Sequence, residues 1–500
     1  MHELPSRNVL LSLAGAIFFL VLIVYGASLG NDFVRFDDGL LIYENPVIRE
    51  TSWRSLKKAF TTYDPELYIP FTLLSYKIDY LLGGAHPFLY HFTNVLLHAA
   101  NAFLVLLLAY ILTGSRIGAL FMGVFFAIHP LHTEAVAWAS ARKDLLSTFW
   151  FLLALFSYLF YRSRCQVSRS GPEGPSGPRT AGFRFQERKF YFLSLMFFLF
   201  GLLSKVMVIT LPVVLLLIDW KERRKIDRSM FFDKLPYAFL SIVFGIVALY
   251  GKQAVTAQAT LWETAVMAPK SAVFYLSKLL VPIRLSVLYP YTDAIDLTSP
   301  DFFLPFLILL ALFSAALFSL RWTRELLFGF LFSLITLSPT FINFSKDGES
   351  YFASDRYAYI PSIGILYIVA LFFVWLLRGK KLSTLFPALG IVAILFAALS
   401  FKQSLVWANT ETLFRNVLRY YPNAHRAHNN LGNVHRRRGE FEAAIASFQA
   451  AIEIRESPRT LTNLGAVYRK LGRIEEAIAL HERAITLAPK DPEPHFGLGI

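Results

Sequence analysis

Asp37 and Asp38 stand side by side in the segment NDFVRFDDGLLIYENPVI, just after the first long apolar run. Two adjacent carboxylates cannot both ionise freely in a confined site. One of them can then take a proton from an incoming hydroxyl; an Asp-rich turn or helix cap is the structural alternative. A second group, HPLHTEAV, carries His129, His132 and Glu134. These types bind metals, but their spacing matches no strong zinc signature. A turn that caps a helix accounts for them better, and no metal or other cofactor is expected. Arg142, Lys143 and Asp144 come next, at the mouth of the following apolar run. Ser204-Lys205 lies between two apolar runs, where a lone lysine needs an anionic partner or an exit to the interface. A phosphate would serve, and so would a structural ion pair. The fourth group is SKDGESYFASDRYAYIPSIG, with Lys346, Asp347, Glu349, Asp355, Arg356 and Tyr357. Arg356 can offer a bidentate fork to phosphate or mark a membrane boundary, with Tyr357 and Tyr359 in the aromatic belt. Together these groups suit an outward-facing polar cavity that transfers a group from an amphipathic, phosphate-bearing donor.

The elements that must position them are membrane helices. Of 500 residues, 55% are hydrophobic and only 17% charged, against roughly 25% charged in a soluble domain. Mean hydropathy is +0.48. Apolar runs of about 18–22 residues recur, long enough to cross a hydrocarbon core. The first, Val9 to Leu29, reads as a retained helix and not a cleaved signal. Further candidates are 90–113, 117–129, 145–161, 190–203, 205–219, 236–250, 301–320, 325–342, 357–377 and 383–401, about eleven spans in all. The stretch 67–83 contains Pro70, Lys77 and Asp79 and reads as an interfacial or re-entrant helix.

The formal charge of +14 would suggest nucleic acid in a soluble chain, but the basic residues sit in short loops, where they set topology. Arg162 to Lys189, Lys221 to Arg228, Arg321 with Arg324, and Arg378 to Lys381 fall on the cytoplasmic side with Arg7. The loops 30–88, 130–142, 251–300 and 343–356 then face outward, and an odd span count puts the chain after Phe401 on that face too. The Gly/Pro/Ser-rich stretch 165–184 reads as a flexible linker. The single cysteine, Cys165, supports no disulfide within the chain.

The tail differs. Asn430-Leu431-Gly432 recurs as Asn463-Leu464-Gly465, 33 residues on, and Leu498-Gly499 repeats the pattern again. With Gly439, Ala444, Phe448, Ala451, Tyr468, Gly472, Ala477, Ala484 and Pro489, these residues fit tetratricopeptide helical hairpins. The segment from Trp407 to Pro422 reads as a half-repeat that docks the stack on the last span. Since such solenoids need about three repeats, the natural chain is expected to continue past Ile500. The division is a membrane domain over 1–402 and a repeat domain over 403–500, all-α in both parts.

FDDGLLIYENPVI, YIPFTLLSYKIDYLLGGAHPFLYHFTNVLLHA, AIHPLHTEAVAWASARKDLLS, LLSKVMVITLPVVLLLID, SDRYAYIPSIG and the repeats occur in one order along essentially the whole chain. That order resembles the transmembrane and tetratricopeptide-repeat protein O-mannosyltransferases of the GT-C glycosyltransferase class. The resemblance implies a GT-C helical bundle and transfer of one sugar from a polyprenyl-phosphate donor to a protein hydroxyl on the outer face. It implies Asp37 as base with Asp38 as alternate or orienting partner. Lys205, Arg356 and, more weakly, Arg142 would meet the donor phosphate, and His132 and Glu134 would shape the sugar or acceptor pocket. Transfer would be direct displacement with inversion, and the repeats would hold the acceptor polypeptide in their groove. Where the family has Tyr-Arg-Pro, this chain has Tyr68-Ile69-Pro70, one basic residue fewer near the cavity. The basic Gly/Pro linker suggests a bacterial inner membrane, an undecaprenyl-phosphate-linked donor and a periplasmic outer face. Partners are therefore the lipid-linked donor, an acceptor polypeptide and membrane lipid, with no nucleic acid. Two alternatives remain: a GT-C enzyme acting on a glycan or lipid, and a non-catalytic membrane scaffold that gathers partners through its repeats.

Overall fold

The computed structural model describes residues 5–64, 66–169, 181–224, 228–252, 260–346, 349–377 and 382–499. Among them seven helices are long and apolar enough to cross a membrane, or eight if the bent pair Arg116–Ile128 and Pro130–Ala137 is one span. The chain is a multi-pass, helical membrane protein. Burial sorts its helices into layers. The spans Pro87–Thr113 and Ala139–Arg164 are 61% and 67% buried, whereas Met230–Gly251, Pro300–Arg321 and Phe386–Val406 are each 11% buried. The first two form the centre. The last three present side chains such as Phe239, Ile246, Leu304 and Ile394 outward to lipid.

The expected eleven spans are not reached at full length, and the reason is local. The run 190–203 belongs to the helix Ala181–Ser204, but Lys205 is extended at φ −163° and breaks it. Beyond the break lie a short 3-10 turn, Val206–Thr210, and an eleven-residue helix, Leu211–Lys221. The run 357–377 similarly yields a 3-10 turn and the fifteen-residue helix Ser362–Leu376. At 1.5 Å per residue that helix covers about 22 Å. The stretch 67–83 forms a fourteen-residue helix, Pro70–Gly83. Residues 170–180 of the linker lie outside the described residues, as do Asp347 and the basic run 378–381.

Helices Glu325–Leu337 and Ser362–Leu376 approach almost backbone to backbone. A Cβ on Gly364 would lie 2.3 Å from the carbonyl oxygen of Gly329, so only glycine allows this crossing, which sets the position of the loop ending at Arg356. At the far end of the central helix Arg142–Arg169, Asp219 is fully buried among cations. It binds Arg162 at 2.7 Å, Arg224 at 3.0 Å and Lys234, and accepts from the Tyr158 hydroxyl at 2.9 Å. Residues 144 and 162 lie on the same helix, about 27 Å apart at helical rise, so this clasp and the polar cluster around Asp144 mark the two ends of one bundle.

After the span Leu382–Val406 the tail is a stack of helices: Thr410–Tyr420, His425–Arg438, Phe441–Ile454, Pro458–Lys470, Ile474–Leu487 and Pro492–Leu498. The repeat signature has a steric cause: a Cβ on Gly432 would meet the Phe448 ring at 2.6 Å. The half-repeat, expected to dock on the last span, also meets the first loop and Trp138. Trp407 stacks on Trp138 at 5.5 Å, Phe414 meets Phe36, and the Asp32 amide donates to the Ala408 carbonyl at 2.9 Å. A small antiparallel sheet, with Glu349–Tyr351 between Pro290–Tyr291 and Ser345–Lys346, adds strands to the expected all-helical fold. Its Glu349 grips the solenoid through Arg426 at 2.7 Å and His425 at 3.2 Å. Burial pushes the Glu349 carboxyl up, but bonds from His425 and Tyr351 and the charges of Arg426 and Arg455 outweigh it and hold it at about 2.

Candidate active site

Every residue from Phe125 to Thr148 is buried, so HPLHTEAVAWASARKD is a plug inside the bundle and not an exposed loop. Pro130 ends the helix Arg116–Ile128 because proline forces the residue before it into extended backbone. His129 is extended at φ −71°, ψ 125°, and the chain bends by 50° there. The His129 ring caps this turn, accepting from the Leu131 amide at 3.2 Å and donating to the Leu279 carbonyl at 3.0 Å. His132 donates to the Phe126 carbonyl at 2.9 Å, and its other nitrogen lies 3.0 Å from the Ser362 hydroxyl. Phe126 and Tyr359 pack against it. This corrects the expected pocket role of His132: with both nitrogens engaged and no exposed surface, it builds the core behind the site. Glu134 turns the other way and binds Arg356 through both the side chain and the backbone amide.

Arg142 also needs correction as a phosphate ligand. It is fully buried. It pairs with Asp79 at 2.5 Å, donates to Asn94 at 3.0 Å and to the Tyr90 carbonyl at 2.8 Å, and lies over the Tyr76 ring. A guanidinium so satisfied joins the helix Pro70–Gly83 to the bundle and leaves nothing for a ligand.

The two adjacent aspartates have different surroundings. Asp38 is fully buried. One oxygen accepts from the Val34 amide at 2.7 Å; the other accepts from the Ser140 amide at 3.0 Å and the Ser140 hydroxyl. It therefore fastens the first loop to the plug. Burial pushes its carboxyl up to about 6, against the lowering effect of those bonds. Asp37 occupies the same turn but is half-buried. Its carbonyl accepts from the Leu41 amide at 2.9 Å, and its carboxylate acts on Lys143 more strongly than any other charge. Phe36, between them and the tail, packs on Trp138 at 5.5 Å and on Phe414 at 6.0 Å.

The Asp38 environment has a pH signature. Between pH about 4 and about 6 the folded state keeps a proton that the unfolded chain has released, so stability falls as pH rises through that window. The loss is on the order of 3 kcal/mol. Thermal unfolding in detergent at a series of pH values should show this decline in the wild type and not in Asp38→Asn. An unchanged slope in the variant would assign the decline to other groups.

Lys205, Arg356 and Lys143 gather into one cluster, which Lys143 connects to Asp37. The break at Lys205 turns its side chain inward, where it binds Asp144 at 2.5 Å and lies 5.3 Å from the Tyr357 ring. Arg356, on the 3-10 turn Asp355–Ala358, lies over Trp138 at 5.2 Å and over Tyr357 at 4.8 Å. Lys143 lies 5.1 Å from the Trp138 ring and donates to the Ser140 carbonyl at 2.7 Å. Each cation has a carboxylate, yet the Arg356 Nε and the Trp138 Nε1 are buried with no hydrogen-bond acceptor. Two unsatisfied donors beside three cations make an anion-binding environment. No group of three or more His, Cys, Asp or Glu gathers with metal-binding geometry among the described residues.

Of the expected residues, the structure brings Lys205, Arg356 and Glu134 together, and connects Asp37, with Asp38 in the same turn, to this group through Lys143. Sequence reasoning missed Trp138, which touches the loop, the cations and the tail at once. A tryptophan between two short helices was the available signal. It also missed Asp79 and Asn94 as partners of Arg142, for which no local pattern exists.

A tetratricopeptide repeat model matches residues 423–490. Over 487 residues the chain is 28% identical to human protein O-mannosyl-transferase TMTC1, covering 86% of this chain and 54% of that protein. It is 48% identical over 89 residues to Drosophila melanogaster protein O-mannosyl-transferase Tmtc1, covering 18% of this chain and 10% of that one. It is 36% identical over 149 residues to Xenopus laevis protein O-mannosyl-transferase tmtc2, covering 28% and 18%. The chain thus spans about half, or less, of the length of these homologues. Two solved structures superpose loosely. ArnT from Cupriavidus metallidurans bound to undecaprenyl phosphate gives a TM-score of 0.39 at 14% identity, over 98% of this chain and 75% of that one. An Archaeoglobus fulgidus oligosaccharyltransferase with a tethered acceptor peptide gives 0.42 at 12%, over 88% and 59%.

Proposed function

We propose, starting from a membrane chain whose curated homologues are protein O-mannosyl-transferases, that it is a GT-C-type glycosyltransferase. It moves a sugar, mannose by the homologues' name, from a polyprenyl-phosphate donor to protein hydroxyls on the extracytoplasmic face. One observation carries this reading: a half-buried carboxylate, Asp37, faces Lys143, which adjoins Lys205 and Arg356, where two buried donors have no acceptor. In the reaction, the acceptor hydroxyl oxygen attacks the anomeric carbon and its proton passes to Asp37. The bond from that carbon to the phosphate oxygen breaks, the polyprenyl phosphate leaves as an anion, and the anomeric configuration inverts. Lys205 and the free Nε of Arg356 hold the departing phosphate, Glu134 and Asp144 aim them, and Asp38 holds the turn that carries Asp37.

The contacts between the first loop and the tail support a topology with both on one side of the membrane. The basic residues about Asp219 mark the opposite end and, by charge, the cytoplasm. The outer face is then the periplasm of a bacterial inner membrane, with undecaprenyl phosphate as the carrier, and the repeats hold the acceptor polypeptide. The test is transfer from labelled polyprenyl-phosphate sugars to outer-face proteins by membranes carrying the chain. Label on protein, dependent on one donor, supports the reading. No transfer from any donor overturns it in favour of a scaffold, and label on glycan or lipid alone overturns the protein acceptor.

A further inference from the structure

A cleft of about 480 Å³ lies where the first loop meets the solenoid, lined by Phe33, Arg35 and Tyr43 on one wall and by Val434, Arg437 and Arg438 on the other. Its floor is fixed, since the Arg35 amide donates to the Thr410 hydroxyl at 2.9 Å. The helix His425–Arg438 ends in four basic residues. Three have acceptors: His435 meets Glu440 at 2.5 Å, Arg436 donates to Asn433 at 3.0 Å, and Arg438 binds Glu411 at 2.7 Å. Arg437 has no hydrogen-bond or ion-pair partner among the described residues. Burial and the like charges of Arg35 and Arg436 lower it, and Glu44, a carboxylate acting on it, already pairs with Arg35 at 3.4 Å. The cleft therefore presents a guanidinium with no direct partner among the described residues, between walls that mix Phe33, Tyr43 and Val434 with Arg35 and Arg438; Asp32 and Glu411 also line it, and Glu411 is held by Arg415 and Arg438. Arg35 precedes Asp37 by two residues, so its backbone is no more than about 7 Å from that of Asp37.

We propose that this cleft takes an acidic side chain of the acceptor polypeptide, seated on Arg437 and Arg35, next to the hydroxyl presented to Asp37. The occupant is a peptide segment with Asp or Glu close to a Ser or Thr. Its carboxylate takes the bidentate fork of Arg437, and neighbouring apolar groups lie on Phe33 and Val434. The inference rests on the enzymatic reading for its purpose, but binding tests it separately.

The experiment is fluorescence anisotropy of full-length protein in detergent with a labelled peptide bearing one Thr flanked by Glu, and with its Gln counterpart. A charge-assisted bond of about 1.5–3 kcal/mol predicts at least tenfold tighter binding of the Glu peptide at low salt. Arg437→Gln should erase that preference, and Arg437→Glu should transfer it to a Lys peptide. Arg116→Gln, at the far end of the helix Arg116–Ile128 from the His129 turn, should leave it intact. Equal affinity for Glu and Gln peptides, or discrimination that survives Arg437→Glu, overturns the proposal. So does an Arg437-dependent capture by phosphatidylserine vesicles without peptide binding, which would make the cleft a lipid headgroup site. A protein that discriminates peptides but transfers no sugar refutes only the enzymatic reading. One that transfers without discriminating refutes only this inference.

Discussion

Transfer by membranes carrying Asp37→Asn should fall by about 10²–10⁴-fold at unchanged protein level, the contribution of a positioned general base. The variant keeps the size of the side chain and the backbone bond from Leu41 to the Asp37 carbonyl, so the turn survives. On the proposed reading the variant loses the ability to accept the hydroxyl proton, together with the negative charge that faces Lys143. Asp38→Asn separates the two carboxylates. Its oxygens hold Val34 and Ser140, so its defect should appear first as lower stability, with residual transfer per folded molecule. If the two results are exchanged, so that Asp37→Asn is active and folded Asp38→Asn is inert, the base is Asp38 and the turn must open to admit substrate.

The second large effect concerns stability. Asp219→Asn should destabilise the bundle by about 3–5 kcal/mol, the cost of stranding buried partner charges. Arg162 and Lys234 then face each other without their shared carboxylate; Arg224 keeps another, Asp233, at 2.7 Å. The measurement is thermal unfolding in detergent together with the yield of folded protein. Removing a cation as well, in Asp219→Asn with Arg162→Met, should recover part of the loss, because neighbours in one network are not additive. A double variant as unstable as the sum of its singles would mean that the clasp is not a coupled unit.

How much of this was legible depends on the reach of each interaction. The solenoid was legible because its steric rule is local: Gly432 faces Phe448 within one hairpin, and Leu464-Gly465 repeats the arrangement. The aspartate pair was legible by type, but not its division of labour, which is decided by Ser140, 102 positions away. Arg142 looked available because charge beside a span invites a ligand; Asp79 and Asn94, on two other helices, consume it. His132 and Glu134 share one short motif, yet one faces the core and the other the site, because a bend at Pro130 sets their directions. The division at Lys205 was legible, since 190–203 and 205–219 read as separate runs, but not that the second run is a 3-10 turn followed by an eleven-residue helix. Hydropathy records that a run is apolar, not whether its first turn is 3-10 and its helix too short to span.

The stacked tryptophans, Trp138 on Trp407, have a consequence for how substrates are chosen. They bolt the solenoid to the bundle at a point adjoining the turn of Asp37, so, on the proposed reading, the separation between the repeat groove and the reacting hydroxyl is a constant of the molecule. An extended polypeptide advances about 3.3–3.6 Å per residue. A segment gripped by the repeats can then present only those hydroxyls that lie a set number of residues from the grip. The enzyme would work as a ruler, with modified positions marked off by distance from a docking segment and sharing little local sequence.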